Sequence, residues 1–355
     1  MIDFIIVGQG LTANVLMHTF HTHGLSFITI GHTGLSTCSR VAAGIWNPVV
    51  FKRMTKSWMA DAVIPHLSTF YGNCEERLHK KIVTHRPLIK PFTEDQEKDL
   101  WVKKSKEELT NYLDASIHSE TPSALNHFQI NNGYGVVHQS GNLHMAEFLD
   151  GSELFFKERI ISEQFHYDQL TIFSEGVAYG DFKAKNIIFC EGHLVSKNPY
   201  FSWIPLKPAK GELLTLEIPQ LQLKNAIFNK NGFLMDIARG RYKMGATYEW
   251  QDLLETPSKK GYAELTAKLD QMIHCSYSIL KQEAGIRPSS IDRRPIIGKH
   301  PQHERLFVFN GMGTKGVMLA PFFANNFVNF YLQKEKLNSE VSLSRFYHLY
   351  ETCKA

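Results

Sequence analysis

Short apolar runs alternate with segments of helical apolar spacing at the start of this 355-residue chain. Residues 4–7 form a β-branched and aromatic run that stops at Gly8, as is typical of a buried parallel strand. Apolar side chains then recur at helical spacing until His23 and Gly24, where the glycine suits the left-handed turn that ends a helix. Residues 27–30 predict a second strand. Strand, glycine turn, helix and strand together predict a βαβ unit with a right-handed crossover.

The rest of the chain mixes helical spacing with two kinds of strand pattern. We predict helices over residues 55–71, with a bend near Pro65, and over residues 94–108, 142–159 and 317–332. Buried strands are predicted over residues 186–190 and 306–309, and alternating antiparallel strands over residues 210–247. Buried strands stand near both ends of the chain. We therefore predict one discontinuous nucleotide-binding domain with antiparallel material inserted into it.

Composition and charge narrow the class of protein. Hydrophobic residues make up 43% and charged residues 21% of the chain, which excludes a disordered protein or a coiled coil. Five scattered cysteines without a Cys-x-x-Cys pair argue against a disulfide framework or a zinc site, and we expect no metal. No apolar run reaches about 18 residues, so we expect no membrane span and a cytoplasmic protein. The net charge of +4 neither requires nor excludes nucleic acid.

The first glycine turn has the spacing of a dinucleotide-binding turn. In the Gly-x-Gly-x-x-Ala motif of residues 8–13, the first glycine permits a tight turn and the second admits a pyrophosphate, while the alanine lets helix and strand pack. An acidic residue that binds the ribose usually follows about 20 residues on, but Gly31 and His32 occupy that place. His32 is a candidate ribose ligand. His32 with Arg40 would also suit a 2′-phosphate, so NADP stays open.

A second glycine-rich turn lies between a predicted strand and the helix predicted over residues 317–332. Its sequence is Gly-Met-Gly-Thr-Lys-Gly-Val at residues 311–317. Such a turn would present the free N–H groups of a helix N-terminus to a delocalised negative charge, and Lys315 would add a positive charge. The alternative is a helix cap with a surface lysine.

Seven blocks of sequence carry a family resemblance. They are residues 5–13, residues 37–45 (Thr-Cys-Ser-Arg-Val-Ala-Ala-Gly-Ile), residues 187–192 (Ile-Ile-Phe-Cys-Glu-Gly), residues 244–247 (Met-Gly-Ala-Thr), residues 284–288 (Ala-Gly-Ile-Arg-Pro), residues 292–298 and residues 310–321. In this order and spacing they resemble the D-amino acid oxidase superfamily of FAD enzymes, in the branch of glycine oxidase and sarcosine oxidase. Residues 82–138 show no clear match. The resemblance implies an α/β fold, α+β overall, in which a Rossmann-like FAD-binding domain carries an inserted antiparallel-sheet substrate domain.

The resemblance also implies how the chain divides and where FAD binds. The FAD-binding domain would comprise residues 1–75, 140–205 and 285–355, and the substrate-binding domain residues 76–139 and 206–284. The turn pattern and the resemblance together predict the residues that bind FAD. They are Gly8, Gly10, Leu11, Thr12, Ala13, His32, Cys38, Ser39, Arg40, Ala43, Gly44, Ile45, Phe165, Gly192, Gly313, Thr314, Lys315, Gly316, Val317, Met318 and Leu319. Phe165 would touch adenine, and residues 313–319 would cover the pyrimidine edge of the flavin. No cysteine lies near the Arg287 block, which implies non-covalent FAD.

The resemblance points to a small substrate with a carboxylate. Arg287 stands where the family's arginine grips the substrate carboxylate, and a guanidinium binds a carboxylate bidentately. Phe233 replaces a substrate-facing tyrosine of glycine oxidase, and Lys315 replaces a second arginine. The implied enzyme oxidises the C–N bond of an amino acid or N-substituted glycine, with hydride passing to the flavin before the imine is hydrolysed. Oxygen or another acceptor would reoxidise the flavin, and no acid–base side chain is assigned.

Two other functions stay open. One is oxidative removal of a carboxymethyl group from a modified tRNA wobble uridine. The oxidase half of the bifunctional methylaminomethyl-thiouridine enzyme has similar Gly-Ile-Arg-Pro and Gly-Ala-Thr blocks, although this sequence shows no methyltransferase half and no strong basic stripe. The other is a non-catalytic FAD- or NADP-binding protein that regulates a partner. The sequence predicts no oligomeric state.

Overall fold

The structure, a computed structural model, describes residues 1–32, 38–120, 122–223 and 225–352. Its strands are β1 (Ile2–Val7), β2 (Phe27–Ile30), β3 (Ile45–Trp46), β4 (Val49–Val50), β5 (Thr55–Lys56), β6 (Val83–His85), β7 (Leu88–Pro91), β8 (Tyr134–Val137), β9 (Gly141–Leu143), β10 (Ile160–Ile161), β11 (Leu170–Phe173), β12 (Gly176–Tyr179), β13 (Phe182–Phe189), β14 (Ala209–Glu217), β15 (Ile227–Asn229), β16 (Phe233–Ala238), β17 (Arg241–Gly245), β18 (Ser278–Arg287), β19 (Ile296–Lys299) and β20 (Leu306–Asn310). Its α-helices are α1 (Leu11–Thr22), α2 (Cys38–Val41), α3 (Ala60–Leu78), α4 (Asp95–Ser105), α5 (Met145–Phe155), α6 (Lys259–Asp270), α7 (Gly316–Tyr331) and α8 (Tyr347–Thr352). Within these ranges, every helix is too short or too polar to cross a membrane.

The first of two main sheets is built on parallel strands. Its centre runs β10, β2, β1, β13 and β20, each parallel to the next, and β11, β12 and β19 add antiparallel pairs. Val7 pairs with Ile30 on one side and with Phe189 on the other, so β1, β2 and β13 end at one edge. The predicted order of strand, glycine turn, helix and strand is confirmed by β1, α1 and β2. In such sheets ligands bind at the carboxyl edge.

The second main sheet has the order β18, β14, β17, β16, β15, β7 and β8. Its pairs are antiparallel except for β15 with β7, which are parallel. The antiparallel strands predicted over residues 210–247 are confirmed. β7 and β8 come from the segment without a family match, and they complete the same sheet. The fold class is therefore the predicted mixture of a parallel and an antiparallel sheet, while the division into domains stays a prediction.

Two predicted helices differ in extent from the observed ones. The helix predicted over residues 55–71 is α3, which starts and ends later, because residues 55 and 56 form β5 and pair with β4. Met59 precedes α3 with a left-handed φ of 57°, which a continuous helix does not contain. The helix predicted over residues 142–159 is the shorter α5. Residues 142 and 143 belong to β9 and residues 157–159 form a 3₁₀ turn, after which β10 becomes an edge neighbour of β2.

Packing holds α1 and α7 side by side against β1. The ring of Phe4 in β1 lies 4.8 Å from Phe20 of α1 and 6.0 Å from Phe327 of α7, measured between centroids. All three side chains are fully buried. Each helix begins at a glycine turn that follows a strand of the parallel sheet. The core therefore brings two helix N-termini to the same edge of that sheet.

Candidate active site

A cavity of about 720 Å³ lies between the carboxyl edge of the parallel sheet and the second sheet. Sites for small molecules and cofactors occupy about 300–1,000 Å³. We call the part lined by the two glycine turns and by the ends of β2, β10 and β13 the glycine-turn end. The part lined by Gly211, Leu213, Phe233, Ala246 and Arg287 is the arginine end. The cavity thus joins the predicted cofactor and substrate residues.

Two glycines at the glycine-turn end have no room for a side chain. Gly8 has a φ of +121°, and a Cβ there would lie 2.5 Å from the carbonyl oxygen of Cys190. Gly44 has a φ of +72°, and its Cβ would lie 2.0 Å from the carbonyl oxygen of Leu143. Both line the cavity, as does Gly10. Bare backbone therefore forms this wall, which lets a pyrophosphate or a flat ring approach closely.

The first turn of α1 presents backbone N–H groups to the cavity. It contains no acidic residue, and its N-cap residue, Gly10, has no side chain that could cap the helix. The Leu11 N–H donates to Ser39 Oγ at 2.9 Å, and Leu11 and Thr12 line the cavity. Ala13 is fully buried and is not among the described lining residues, so the structure gives it the packing role of a small residue and no ligand contact. An anion at this end would meet the positive end of the helix.

The second glycine turn meets the first. Its lining residues are Met312, Gly313, Thr314, Gly316 and Val317. A Cβ on Gly316 would lie 3.0 Å from Leu11 Cδ2, so the two helix starts are in contact. Met318 and Leu319 are buried in the core and are not among the described lining residues, and their contact with the flavin stays a prediction. Along α7, Gly316 and Val317 thus line the cavity, whereas the next two residues face the core.

Lys315 is not among the described residues that line the cavity, although its neighbours in the turn are. Its ammonium donates to Ser57 Oγ at 3.0 Å. Burial, together with charge repulsion from the nearby Arg294 and Arg293, lowers the pKa of Lys315 to about 8. The structure thus places the Lys315 ammonium on Ser57, and its contact with substrate or flavin stays a prediction.

Arg40 is also turned away. Its Nη1 donates to Asp150 Oδ1 at 2.6 Å, and its Nη2 lies 3.7 Å from Glu153 Oε2. Both carboxylates belong to α5, and Arg40 is not among the described residues that line the cavity. The structure thus places Arg40 beside the carboxylates of α5, and its contact with a cofactor stays a prediction.

The other predicted cofactor residues do line the cavity. They are His32, Cys38, Ser39, Ala43, Gly44, Ile45, Phe165 and Gly192. Phe165 stacks on Tyr179 with ring centroids 4.5 Å apart, which fixes the side chain at the wall. Thr37, the first residue of its matching block, lies outside the described residues.

Two cysteines lie in the cavity wall. Burial raises the pKa of Cys38 to about 11, although the nearby Arg287 opposes this, and burial raises the pKa of Cys190 well above its usual value. A Cβ at Gly285 would lie 2.9 Å from the Cα of Cys38, so a cysteine does lie beside the Arg287 block, contrary to the sequence-based expectation. Because the thiolate is the reactive form of cysteine, these protonated thiols fit a non-covalently bound flavin.

Sequence reasoning missed the carboxylates of the wall, which are Glu163, Glu191 and Glu255. Glu191 follows β13 and accepts hydrogen bonds from Asn198 Nδ2, at 2.7 Å, and from the Tyr167 hydroxyl. Burial raises the pKa of Glu191. The signal for this residue was present, since Glu191 belongs to the Cys-Glu-Gly end of a matching block.

The glycine-turn end fits FAD in its chemistry. Backbone without side chains and two touching helix N-termini suit a pyrophosphate and a ring that carries negative charge. Gln9 lines the cavity, and its side-chain nitrogen is buried without a hydrogen-bond partner among the described residues, so it offers a donor to a bound group. Within those residues, no group of three His, Cys, Asp or Glu side chains is placed to hold a metal ion.

At the arginine end, Arg287 closes β18 and its guanidinium crosses over Gly211 of β14. A Cβ on Gly211 would lie 1.9 Å from Arg287 Nη2. Nη1 donates to the carbonyl oxygen of Lys210 and Nη2 to that of Thr247, both at 3.2 Å. The ring of Tyr248 lies 4.8 Å from Arg287 Cζ. Carbonyl groups therefore fix the guanidinium without neutralising its charge.

The surroundings of Arg287 are apolar. Burial lowers its pKa, but a guanidinium stays protonated in proteins. A Cβ on Gly245 would lie 1.9 Å from Leu213 Cδ2 and 3.1 Å from Phe233 Cε1, so Leu213 and Phe233 form one wall. The two carbonyl contacts use two of the five N–H donors of the guanidinium. The remaining donors and the apolar wall suit a small carboxylate.

Comparisons with known proteins agree with this geometry. The model of a family described as FAD dependent oxidoreductase matches residues 3–328. Glycine oxidase of Bacillus subtilis is 28% identical over 148 residues, which cover 40% of this chain and 40% of that enzyme. A tRNA 5-methylaminomethyl-2-thiouridine biosynthesis bifunctional protein of Marinobacter nauticus is 22% identical over 157 residues, which cover 40% of this chain and 25% of that protein. These matches thus span well under two thirds of either relative.

The fold also has solved counterparts. The crystal structure of glycine oxidase from Geobacillus kaustophilus is similar to this chain with a TM-score of 0.78 and 19% identity. The similarity covers 97% of this chain and 98% of that chain, and it shows a shared fold. The family match extends over most of the sequence and over both glycine turns and Arg287. The chain therefore belongs to the FAD dependent oxidoreductase family, as the sequence resemblance predicted.

Proposed function

We propose that this FAD-dependent enzyme oxidises the C–N bond of a small amino acid or an N-substituted glycine. The observation that carries the proposal is the position of Arg287. Its guanidinium, held by two backbone carbonyls, opens into the same cavity as the glycine turns. A carboxylate bound there would place the adjoining carbon in the cavity, between the arginine and the glycine-turn end. The glycine oxidases among its relatives support the same class of substrate.

The residues of the arginine end would orient the substrate and exclude water. Arg287 would bind the carboxylate through two parallel hydrogen bonds, which fixes both position and plane. Leu213 and Phe233 would cover the carbon and nitrogen of the substrate. An apolar wall disfavours a charged amine, so the substrate nitrogen would react in its neutral form and no side chain need remove a proton. FAD, when bound, supplies the acceptor for the hydride that leaves the carbon.

Phe233 also bears on the choice of substrate. Its ring brings no hydroxyl to the wall, and it packs near Leu213 across Gly245. A polar substituent on the substrate nitrogen would lose its hydration there without gaining a partner from either side chain. We therefore expect the enzyme to favour hydrogen or a small alkyl group on the nitrogen over a second charged group.

The proposal is tested by mixing the purified protein anaerobically with candidate substrates and following the flavin absorbance. Glycine, sarcosine and D-amino acids are the candidates, and methylamine is the control that lacks a carboxylate. We expect at least one carboxylate substrate to bleach the flavin and methylamine to leave it unchanged. Comparing the rate of oxygen consumption with the rate at which a dye is reduced then identifies the electron acceptor. Bleaching only by RNA that carries a carboxymethylaminomethyl uridine would overturn the proposal in favour of the tRNA function, and bleaching by none of these would favour a regulatory flavoprotein.

A further inference from the structure

The end of β2 is the place where an acidic residue of a dinucleotide site usually binds the ribose. Here Gly31 occupies that place, and the structure leaves no room for any side chain there. A Cβ on Gly31 would lie 2.7 Å from Gln9 Cγ and 2.9 Å from the backbone carbon of Gly8. A carboxylate that binds the ribose beside His32 therefore has to come from another element.

That element is β10, the edge strand beside β2. Ile161 of β10 pairs with Ile30 of β2, so the two strands end together. The carbonyl oxygen of Ile161 accepts the Gly31 N–H at 3.1 Å and the Glu163 N–H at 3.0 Å. The carbonyl of Ile161 thus links the backbone of Gly31 to the backbone of Glu163. Glu163 is exposed and lines the cavity together with His32.

The other two carboxylates of the wall are less suited to a ribose. Glu191 follows β13, which lies on the far side of β1 from β2, and it already accepts hydrogen bonds from Asn198 and Tyr167. Glu255 lies 3.7 Å from His193 and is close enough to Cys38 to raise the pKa of that thiol, which places it toward the arginine end. Glu163 is the carboxylate of the wall that adjoins the end of β2.

We propose that Glu163 binds the vicinal hydroxyls of the adenosine ribose of FAD, in place of the missing acid of β2. A carboxylate accepts two hydrogen bonds side by side, so it matches a pair of neighbouring hydroxyls. Phe165, two residues further on, lines the same cavity and is the residue predicted to touch the adenine. The same carboxylate repels a 2′-phosphate, so Glu163 also selects FAD over a 2′-phosphorylated dinucleotide. The inference rests on FAD binding and is independent of the substrate.

The test is a binding measurement on the full-length chain after removal of its flavin. FAD and an FAD analogue without the adenosine 2′-hydroxyl are titrated into wild type, Glu163→Ala and the control Glu158→Ala, with quenching of flavin fluorescence as the readout. Glu158 is exposed just before β10 and is not among the described lining residues. We expect Glu163→Ala to weaken FAD binding about tenfold and Glu158→Ala to leave it unchanged.

The analogue separates a ribose contact from a general effect on folding. Wild type should bind the analogue about tenfold more weakly than FAD, whereas Glu163→Ala should bind the two nearly equally. An equal preference for FAD in wild type and Glu163→Ala would overturn the proposal, as would unchanged FAD binding by Glu163→Ala. No substrate enters this assay, so its outcome is separate from that of the flavin-bleaching experiment.

Discussion

The two ends of the cavity are built by different physical means. At the glycine-turn end the binding surface is backbone: missing side chains at Gly8 and Gly44 and two touching helix starts. At the arginine end it is one side chain, which Gly211 makes room for and which carbonyls of Lys210 and Thr247 hold. The first end should be more sensitive to changes of backbone shape than to changes of side chains, with Glu163 as the expected exception. The second should depend on a single charge and on whatever positions it.

Removing that charge should have the largest effect. Arg287→Ala leaves the substrate carboxylate without a partner in an apolar wall, at a cost on the order of 4 kcal/mol. We expect kcat/KM to fall about a thousandfold, mainly through KM, while the protein keeps its flavin. Steady-state kinetics on the best substrate and the flavin-to-protein absorbance ratio measure both. Arg53→Ala, at an exposed position, is the matched control. A variant that turns over with unchanged KM would show that the carboxylate binds elsewhere.

A change of backbone shape at the glycine-turn end should instead weaken the binding of FAD. Gly8→Ala places a methyl group 2.5 Å from the Cys190 carbonyl at a φ of +121°, so the turn has to move. We expect FAD affinity to fall about a hundredfold and the free energy of unfolding to fall by about 2 kcal/mol. Flavin titration and thermal unfolding report the two quantities.

Gly24→Ala is the control that separates strain from contact. Gly24 also has a positive φ, +70°, but an added Cβ meets nothing within 4 Å. It should cost about 1 kcal/mol of stability through strain alone and leave FAD affinity unchanged. Equal loss of FAD affinity in both variants would show that the fit of Gly8 against Cys190 has no part in cofactor binding.

Gly211 tests whether the position of the arginine matters as well as its charge. The alanine methyl in Gly211→Ala would occupy the path of the guanidinium, 1.9 Å from Nη2, and the flexible side chain would shift. We expect KM to rise about tenfold with FAD affinity unchanged. Gly72→Ala, where an added Cβ inside α3 meets nothing within 4 Å, should leave KM unchanged and slightly raise stability. A KM for Gly211→Ala equal to that of wild type would mean that the substrate tolerates a displaced guanidinium.

The same contrast explains what the sequence could predict. The glycine turns were predictable because the conformations that only glycine adopts are a local property, and β1, α1 and β2 follow one another directly. The fold class and the family followed from such local blocks. Side-chain direction was harder to predict, since it depends on partners far along the chain. Arg40 is turned away by Asp150, 110 residues later, and Lys315 by Ser57, 258 residues earlier.

Glu163 shows a different limit of sequence reasoning. The search for a ribose ligand stopped at the end of β2, because the motif places the acid there. β10 is two residues long and gives no periodic signal, and the sequence pattern predicted a helix up to residue 159. Its pairing with β2 joins residues more than a hundred positions apart. Only the three-dimensional register brings Glu163 to the end of β2.

Lys315 belongs to neither end of the cavity, and its replacement should have the smallest effect on function. Its pKa of about 8 lies below the usual 10.5, so the folded chain releases a proton that the unfolded chain keeps between these pH values. Wild-type stability should therefore rise as the pH goes from about 8 to about 10. Lys315→Met removes the buried charge. Its free energy of unfolding should therefore exceed that of wild type by about 1–2 kcal/mol at pH 7, and the difference should disappear at high pH. Thermal unfolding at both pH values measures this difference in stability, and Lys52→Met, at an exposed position, is the control. A fall in the FAD affinity of Lys315→Met would instead show that Lys315 acts at the glycine-turn end.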